Sequence, residues 1–286
     1  MATTPKKPVA RLEVKKTYKL YINGAFPRSE SGRVYEVLTS KGASVANPSL
    51  ASRKDLRDAV VAARAAQSGW AKATAYNRGQ ILYRIAEMLE GRTDQLVTEI
   101  SLATGVSTKK AHDEVLAAID RWVWYAGWSD KLSAAFGSTN PVSGPYYNFT
   151  IPEPQGVIAV APAENFLAFI DAIAPAIVSG NTVVALVPGS AAIAAMTFAE
   201  VLATSDLPAG VINILTGSHD ELAPWAASHM DIDGFDVSGI SKKKRAELKV
   251  AGAENLKRIH NFEGALSPTR IFAFMEAKTV WHPIGV

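Results

Sequence analysis

Residues 156–187, GVIAVAPAENFLAFIDAIAPAIVSGNTVVALV, give the clearest indication of how this chain folds. It opens with a continuous apolar run, continues through a helical segment over residues 166–178, and ends in a second apolar run. Gly180 and Asn181 separate the helix from that second run, as helix C-termini commonly do. Apolar strands that alternate with helices are typical of a parallel sheet covered on both faces. The alternation continues as far as residue 260, so we predict an α/β fold.

The part of the chain before this stretch is predicted to be helical. Ser52 is a suitable N-cap residue, and Asp55 follows three residues later, a variant of the capping box. Further helices are predicted as far as Trp128, because apolar residues recur at helical spacing. The segment 133–145 is rich in Ser, Gly and Pro and is therefore predicted to be a loop.

The composition excludes several classes of site. The chain has 286 residues, 48% of them hydrophobic, a net charge of +3 and no cysteine. A disulfide framework, a thiolate metal site and a thiol nucleophile are thereby excluded. The histidines lack paired ligand spacing, so no metal site is predicted.

The composition also limits the expected partners and location. The basic runs are not interleaved with aromatic residues in a nucleic-acid-binding module, so no nucleic-acid partner is expected. No apolar run approaches the ~20 residues that a membrane span needs, and no secretory signal opens the chain. We therefore expect a cytoplasmic protein with no membrane partner.

Five segments between about Tyr18 and about Ile271 carry a family resemblance: YINGAFPRSESGRVYEV, GVIAVAPAENF, IAPAIVSGNTVVALVP, DLPAGVINILTG and NLKRIHNFEGALSP. Together, and in this order, they resemble the aldehyde dehydrogenase superfamily. The resemblance implies a Rossmann-like NAD(P)-binding domain, a catalytic domain and a small β oligomerisation element.

The segment FMEAKTVW, residues 274–281, resembles the C-terminal strand of the same family. In the family this strand belongs to the oligomerisation element, together with a hairpin that corresponds here to about 144–155. Here the strand follows Ile271 after only a few residues, so the segment that would hold the catalytic domain is missing. The resemblance implies an NAD-type domain over residues 1–143 and 156–271, and an oligomerisation element over 144–155 and 272–286.

The oligomerisation element is expected to form an interface. As an isolated strand, residues 274–281 would carry apolar groups on both faces, and no turn leads onward to a pairing strand. The residues expected at the interface are Tyr147, Phe149, Ile151, Met275, Ala277 and Trp281. The expected partner is a second copy of the chain or a full-length aldehyde dehydrogenase.

The catalytic residues of the family are mostly absent. Family members attack the aldehyde with a cysteine thiolate, and this chain has no cysteine. Gapless alignment places Phe262 at the position of the general base. Glu263 is next to it, but neighbouring side chains of a strand point to opposite faces. Asn165 matches the family's oxyanion-hole asparagine, and without a nucleophile it is interpreted as a loop residue that ties down backbone.

The predicted cofactor site is also degenerate. The family's K-P-S-E is replaced by LVPGS, with Val187 or Leu186 at the lysine position, and its G-S-T-x-x-G is replaced by GISKKK. The resemblance assigns the remaining cofactor contacts to Asn165, Val187, Pro188, Gly217 and Gly239. NAD(P) binding is therefore expected to be weak or lost.

These observations favour a non-catalytic assembly or regulatory subunit, a pseudoenzyme of the aldehyde dehydrogenase type. Two alternatives remain open. The chain could be an NAD(P)-binding sensor module, or an aldehyde oxidoreductase that is active only with a partner.

Overall fold

The helices and strands begin and end close to the signals in the sequence. The computed structural model describes residues 14–39, 41–264 and 266–285, and residues 1–13 of the predicted NAD-type domain lie outside this description. The helices are α1 Arg53–Lys72, α2 Ala75–Glu90, α3 Thr93–Thr104, α4 Thr108–Ala126, α5 Leu132–Phe136, α6 Phe166–Val178, α7 Ala191–Leu202, α8 His219–Ser228, α9 Lys242–Ala253 and α10 Thr269–Phe272. The strands are β1 Thr17–Tyr18, β2 Val37–Leu38, β3 Ser44–Pro48, β4 Ser138–Asn140, β5 Tyr146–Pro154, β6 Val157–Val160, β7 Thr182–Val187, β8 Ile212–Thr216, β9 Gly234–Asp236, β10 Arg258–His260 and β11 Met275–Pro283.

A five-stranded parallel sheet of order β10-β9-β6-β7-β8 forms the centre of the molecule. Successive residues of β7 alternate between its two sides. Val183 and Ala185 belong to one buried hydrophobic cluster, and Val184 and Leu186 belong to a second. The first cluster includes residues of α2, α3, α4, α6 and α7, whereas the second includes residues of α1, α8 and α9. The predicted α/β fold, with a parallel sheet covered on both faces, is confirmed.

The predicted helix signals also have the expected geometry. The Ser52 side chain accepts hydrogen bonds from the backbone N–H groups of Lys54 and Asp55, and the Asp55 carboxylate accepts one from the Ser52 N–H. This reciprocal pair is a capping box. Gly105 ends α3 in the left-handed conformation at a φ of 75°, where glycine lacks the Cβ penalty.

Two predictions of local structure were wrong. Residues 133–145 are not a loop throughout, because α5 and β4 occupy part of this segment. The N-terminal half is not helical throughout either, because β1, β3 and β2 form a small three-stranded sheet. Strands of two to five residues are too short to show a periodic hydrophobic pattern, so pairing with distant residues decides them.

The C-terminal strand β11 pairs within its own chain. It runs antiparallel to β5 over nine residue pairs, from Met275 opposite Pro154 to Pro283 opposite Tyr146. β5 also pairs with β4, so the predicted hairpin begins at Ser138, earlier than residue 144. One edge of β11 is therefore paired within the chain, with the segment that the resemblance assigned to the hairpin. Among the described residues, no strand pairs with the other edge of β11.

The start of β11 is fixed to the central domain. The backbone oxygen of Phe274 accepts hydrogen bonds from Asn181 Nδ2 at 2.9 Å and from the Gln155 N–H at 3.2 Å. The Arg258 guanidinium donates to the backbone oxygen of Met275 at 2.6 Å. Phe274 itself is buried. These contacts set the direction in which the strand leaves the domain.

In the described part of the chain, no helix combines the length and apolar character that a membrane crossing requires.

Candidate functional site

The loops that follow the parallel strands meet along one edge of the sheet. In parallel α/β sheets, ligands bind at this carboxyl-end edge, beside the point where the strand order reverses. Here β6 is flanked by β7 on one side and by β9 on the other, so the reversal lies at β6. We call the loops 161–165, 188–190, 217–218 and 237–241 the carboxyl-end edge. The predicted cofactor residues follow or end these strands, so the fold brings them to a common edge.

Gly239 mediates a direct contact between two of these loops. Its N–H donates to the backbone oxygen of Ala161 at 2.8 Å. A Cβ atom at position 239 would lie 2.2 Å from the Pro162 carbonyl oxygen and 2.5 Å from the Ala163 nitrogen. The glycine therefore allows the loops after β6 and β9 to touch through their backbones. Close packing is thus one physical reason for glycine at this position.

Asn165 is the N-cap residue of α6. Its Oδ1 accepts a hydrogen bond from the Ala168 N–H at 2.7 Å, and the residue is exposed. The backbone N–H groups of Phe166 and Leu167 donate to Glu114 Oε1 at 2.8 and 3.1 Å. The amide oxygen of Asn165 is therefore engaged in capping the start of α6.

The end of β7 holds the segment that replaces the family's lysine motif. Val187 is fully buried and belongs to the hydrophobic core, so its side chain does not line the edge. Pro188 is half-buried. Glu164 reaches across from the loop after β6, and its Oε1 accepts hydrogen bonds from Ser190 N at 2.8 Å and Ser190 Oγ at 3.0 Å. This carboxylate, which the sequence analysis did not single out, occupies the N-terminal end of α7.

Two more side chains support the end of β7. The Tyr35 hydroxyl donates to the Gly189 carbonyl oxygen at 3.0 Å. His219 Nε2 lies 2.8 Å from the Leu186 carbonyl oxygen. Burial raises the pKa of Tyr35, and the nearby Glu164 charge raises it further. Burial lowers the pKa of His219, although the Leu186 carbonyl and the Glu164 charge act in the opposite direction.

Gly217, at the end of β8, is enclosed by the segment before α1. A Cβ atom there would lie 3.2 Å from Leu50 Cδ1 and 3.4 Å from the Ala51 nitrogen, and φ is 152°. The Gly217 N–H donates to the Val187 carbonyl oxygen at 3.0 Å. Its glycine character is therefore also explained by packing within the chain.

The N-terminus of α9 carries the basic run. Ile240, which replaces the family's serine, is 5% exposed and packs in the hydrophobic core, so its side chain does not project from the edge. Lys244 forms an ion pair with Asp220. Arg245 turns back and donates to the Ile240 and Ser238 carbonyl oxygens at 2.6 and 2.8 Å. Lysines at a helix N-terminus oppose the helix dipole, and an added anion would reduce that repulsion.

Phe262 lies in a cluster of aromatic side chains near the start of β11. Its ring centroid is 6.1 Å from that of Phe274 and 5.9 Å from that of His260, and the Arg270 guanidinium lies 5.1 Å away. β10 ends before Phe262, so the premise that Phe262 and Glu263 alternate on a strand was wrong. Glu263 is exposed in a loop. The place assigned to the general base therefore holds an apolar ring.

A buried ionic group, also missed from the sequence, lies behind this aromatic group. Asp171 Oδ1 accepts from Arg121 Nε at 2.8 Å, and the Asp171 backbone oxygen accepts from Arg270 at 2.8 Å. Burial raises the pKa of Asp171, while Arg121 and Arg270 oppose the shift. These side chains come from α4, α6 and α10. The signal available in the sequence was a single aspartate within an otherwise apolar helix.

The predicted interface residues lie on the two faces of one small sheet. In an antiparallel pair, directly opposed residues share a face. Phe149 and Ile151 lie opposite Val280 and Lys278, whereas Trp281 lies opposite Asn148. Tyr147, Phe149 and Ile151 therefore occupy one face, and Met275, Ala277 and Trp281 occupy the other.

These residues also differ in exposure. Met275 is 8% exposed and belongs to the chain's own core, so it does not contribute to a surface. Trp281 is 58% exposed and its ring packs edge-on against Tyr146 at 5.8 Å. Tyr147 is 47% exposed. The exposed apolar surface of the element is therefore concentrated towards the end of β11 and the start of β5.

The chemistry available at the carboxyl-end edge is limited. The sequence offers no thiol, and the described residues contain no group of three or more acidic, histidine or cysteine side chains that could hold a metal ion. Backbone N–H groups and lysine ammonium groups remain, and these suit an anion. The edge thus retains features of a binding site without the family's nucleophile.

Comparison with known proteins places this arrangement in a family. The model of the aldehyde dehydrogenase family matches residues 26–282. Human retinal dehydrogenase 2 is 36% identical over 273 residues, covering 93% of this chain and 52% of that protein. An aldehyde dehydrogenase of Emericella nidulans is 31% identical over 290 residues, covering 99% of this chain and 57% of that protein. The chain therefore spans about half the length of these relatives.

Solved structures agree in fold. PnpE in complex with nicotinamide adenine dinucleotide matches with a TM-score of 0.82 and 26% identity, over 86% of this chain and 51% of that chain. An NAD+ complex of aldehyde dehydrogenase from Bacillus cereus matches with a TM-score of 0.79 and 27% identity, over 85% of this chain and 50% of that chain. The sequence match and the shared α/β fold together show that this chain belongs to the aldehyde dehydrogenase family.

Proposed function

We propose that this chain is a non-catalytic assembly or regulatory subunit, which pairs through β11 with a second copy or with a full-length aldehyde dehydrogenase. The observation that carries the proposal is the nine-residue edge strand β11, whose outer edge has no partner among the described residues. An unpaired edge is a template for strand addition. The exposed Trp281 beside it adds apolar surface, which on proteins often marks an interface.

The absence of a nucleophile supports the non-catalytic part of the proposal. Thiolate attack on an aldehyde requires a cysteine, and the sequence has none. The segment between β10 and β11 holds the short helix α10 and the aromatic ring of Phe262. The Asn165 side-chain oxygen caps α6. Without a nucleophile in the sequence, no attack on an aldehyde creates a negative charge beside this residue for its amide to stabilise.

The charge pattern of β11 favours a selective contact over indiscriminate aggregation. Lys278 pairs with Glu153 at 2.9 Å, and Glu276 pairs with Arg258 at 2.8 Å. Charged side chains along an edge strand disfavour pairing with arbitrary strands. A partner strand fits this edge only if it places no like charge opposite these side chains.

An NAD(P)-binding sensor is the second candidate, and the lysines at the start of α9 favour it. Neighbouring solved structures of the same fold are described with NAD bound. A calorimetric titration of the pure chain with NAD+ separates the two functions. An assembly subunit does not need to bind NAD+, whereas a sensor needs a dissociation constant for NAD+ comparable to the cellular concentration of the cofactor.

The test of assembly uses Trp281→Lys, with Leu102→Lys as the matched control. Both residues are more than half exposed and apolar, but Leu102 lies on α3, in a different element from β11. Each variant is mixed with a tagged full-length aldehyde dehydrogenase from the same source, or with tagged native chain, and recovered by affinity capture. We expect Trp281→Lys to lose capture and Leu102→Lys to keep it. Equal capture of both variants, or aldehyde oxidation by the pure chain, would contradict the proposal.

A further inference from the structure

Glu164 makes a contact that joins two loops of the carboxyl-end edge. It lies in the loop after β6, yet its carboxylate is hydrogen-bonded to the backbone N–H and the hydroxyl of Ser190 at the start of α7. The Ser190 side chain does not itself cap α7, and the first turn of α7 has no acidic residue. The carboxylate that binds the start of α7 therefore comes from another loop.

The structure around Gly189 accommodates this carboxylate. A Cβ atom at position 189 would lie 2.0 Å from Glu164 Oε1 and 2.3 Å from its Cδ, so any other residue would displace it. Gly189 has a φ of +51°, a conformation that residues with a Cβ rarely adopt. The Tyr35 hydroxyl holds the Gly189 carbonyl at 3.0 Å. The Glu164 carboxylate thus lies against the 189–190 segment, which Tyr35 holds in place.

The negative charge of Glu164 also affects the pKa values of two nearby side chains. The Glu164 charge raises the pKa of Tyr35 and works against the lowering of the pKa of His219. His219 is bound to the carbonyl oxygen of Leu186, in the strand that leads into Gly189. The charge of Glu164 thus acts on the pKa of both side chains, although the carboxylate is itself exposed.

We propose that Glu164 is an internal competitor, an autoinhibitory side chain that keeps the β7–α7 end of the edge closed to a dinucleotide. The backbone N–H and hydroxyl of Ser190 are donors that a bound sugar or phosphate oxygen could use, and Glu164 occupies both. A ligand at this end must first displace the side chain. Its apparent affinity equals the intrinsic affinity multiplied by the fraction of molecules in which the side chain is displaced. This inference concerns nucleotide access and does not depend on the proposed assembly through β11.

The proposal makes a quantitative statement about binding. Two charge-assisted hydrogen bonds hold the carboxylate, so the open form is a minor population. We expect Glu164→Ala to bind NAD+ roughly ten- to a hundredfold more tightly than the native chain, and Glu164→Gln to lie between them. The glutamine retains an acceptor oxygen for Ser190 but loses the charge.

The experiment is a calorimetric NAD+ titration of the native chain, both variants and the matched control Glu254→Gln. Glu254 is an exposed carboxylate at the far end of α9 and is not part of this edge. The control is expected to bind as the native chain does. If Glu164→Ala gains less than about twofold, or if the control gains as much, the internal competitor does not exist.

A second measurement tests the position of the carboxylate directly. The pKa of His219 is followed by NMR of its imidazole nitrogens in the native chain and in Glu164→Gln. Removing the nearby negative charge should lower this pKa further, since a carboxylate favours the protonated imidazole. An unchanged His219 pKa in a folded variant would show that Glu164 does not occupy this place, and would overturn the proposal even if NAD+ binding changed.

Discussion

The contact between the loops after β6 and β9 gives the sharpest prediction for stability. Gly239→Ala adds a Cβ atom 2.2 Å from the Pro162 carbonyl oxygen, whereas ordinary van der Waals contact begins at 3.4 Å. The added Cβ atom would clash with backbone atoms of Pro162 and Ala163, so the clash cannot be relieved by rotating a side chain. The two loops would have to separate by roughly 1 Å within a close-packed region.

This separation also weakens specific contacts. The Gly239 N–H donates to the Ala161 carbonyl oxygen at 2.8 Å, and the adjacent Ile240 side chain is buried in the core. Overpacking of such a site costs about 1–3 kcal/mol, and loss of the hydrogen bond adds about 1 kcal/mol. We therefore expect Gly239→Ala to lower the free energy of unfolding by about 2–4 kcal/mol.

The assay is urea denaturation followed by circular dichroism, with Gly69→Ala as the control. Gly69 lies inside α1, and a Cβ atom there would meet nothing within 4 Å. Alanine in a helix interior is favoured over glycine by about 0.5–1 kcal/mol, so this variant should be more stable than the native chain. A Gly239→Ala variant as stable as the native chain would show that the two loops do not pack tightly at this position.

Three further predictions concern the helices, the buried ion pair and the pH dependence. Ser52→Ala should lower the free energy of unfolding by about 1 kcal/mol because it removes the cap of α1. Ser241→Ala should change it little because the Ser241 side chain makes no capping hydrogen bond. Equal losses of stability in urea denaturation would contradict the capping role of Ser52. Arg121→Met leaves the Asp171 carboxylate without its side-chain partner and should lower the free energy of unfolding by about 3 kcal/mol. Adding Asp171→Asn should recover part of that loss. An unchanged melting temperature of the single variant would show that the pair is not buried. Burial lowers the pKa of His219 below the ordinary value of about 6.5, so the unfolded chain binds more protons and the free energy of unfolding should fall as the pH drops through about 6.5. His219→Asn should make this fall smaller in denaturation at several pH values, and an unchanged slope would exclude His219 as its source.

Local signals explain why much of the helical structure was predictable. Ser52 with Asp55 and Gly105 lie at helix ends where side-chain caps and the left-handed conformation act within a few residues. The alternation of apolar strands and helices around residues 156–187 likewise indicates a parallel sheet without any knowledge of distant contacts. These features depend on neighbours in the sequence, and the structure agrees with them.

Distant contacts explain what was missed. No turn connects β11 with β5, so the local pattern did not predict this pairing, and only the resemblance to the family grouped the two segments. Met275 was expected at an interface, but its burial depends on how the chain returns to the central domain. The contact of Glu164 with Ser190 joins residues 26 positions apart, and only the closeness of two loops reveals it. For Gly239 the sequence identified the position, and the structure supplied the packing partner.

Size-exclusion chromatography with light scattering of the intact chain is the most direct test of the assembly proposal. The exposed edge of β11 and the exposed Trp281 predict a mass of at least twice the 30.5 kDa of one chain, falling towards one chain mass in Trp281→Lys. A homogeneous 30.5 kDa species at high protein concentration, which also fails to bind an added full-length aldehyde dehydrogenase, would show that β11 does not mediate assembly.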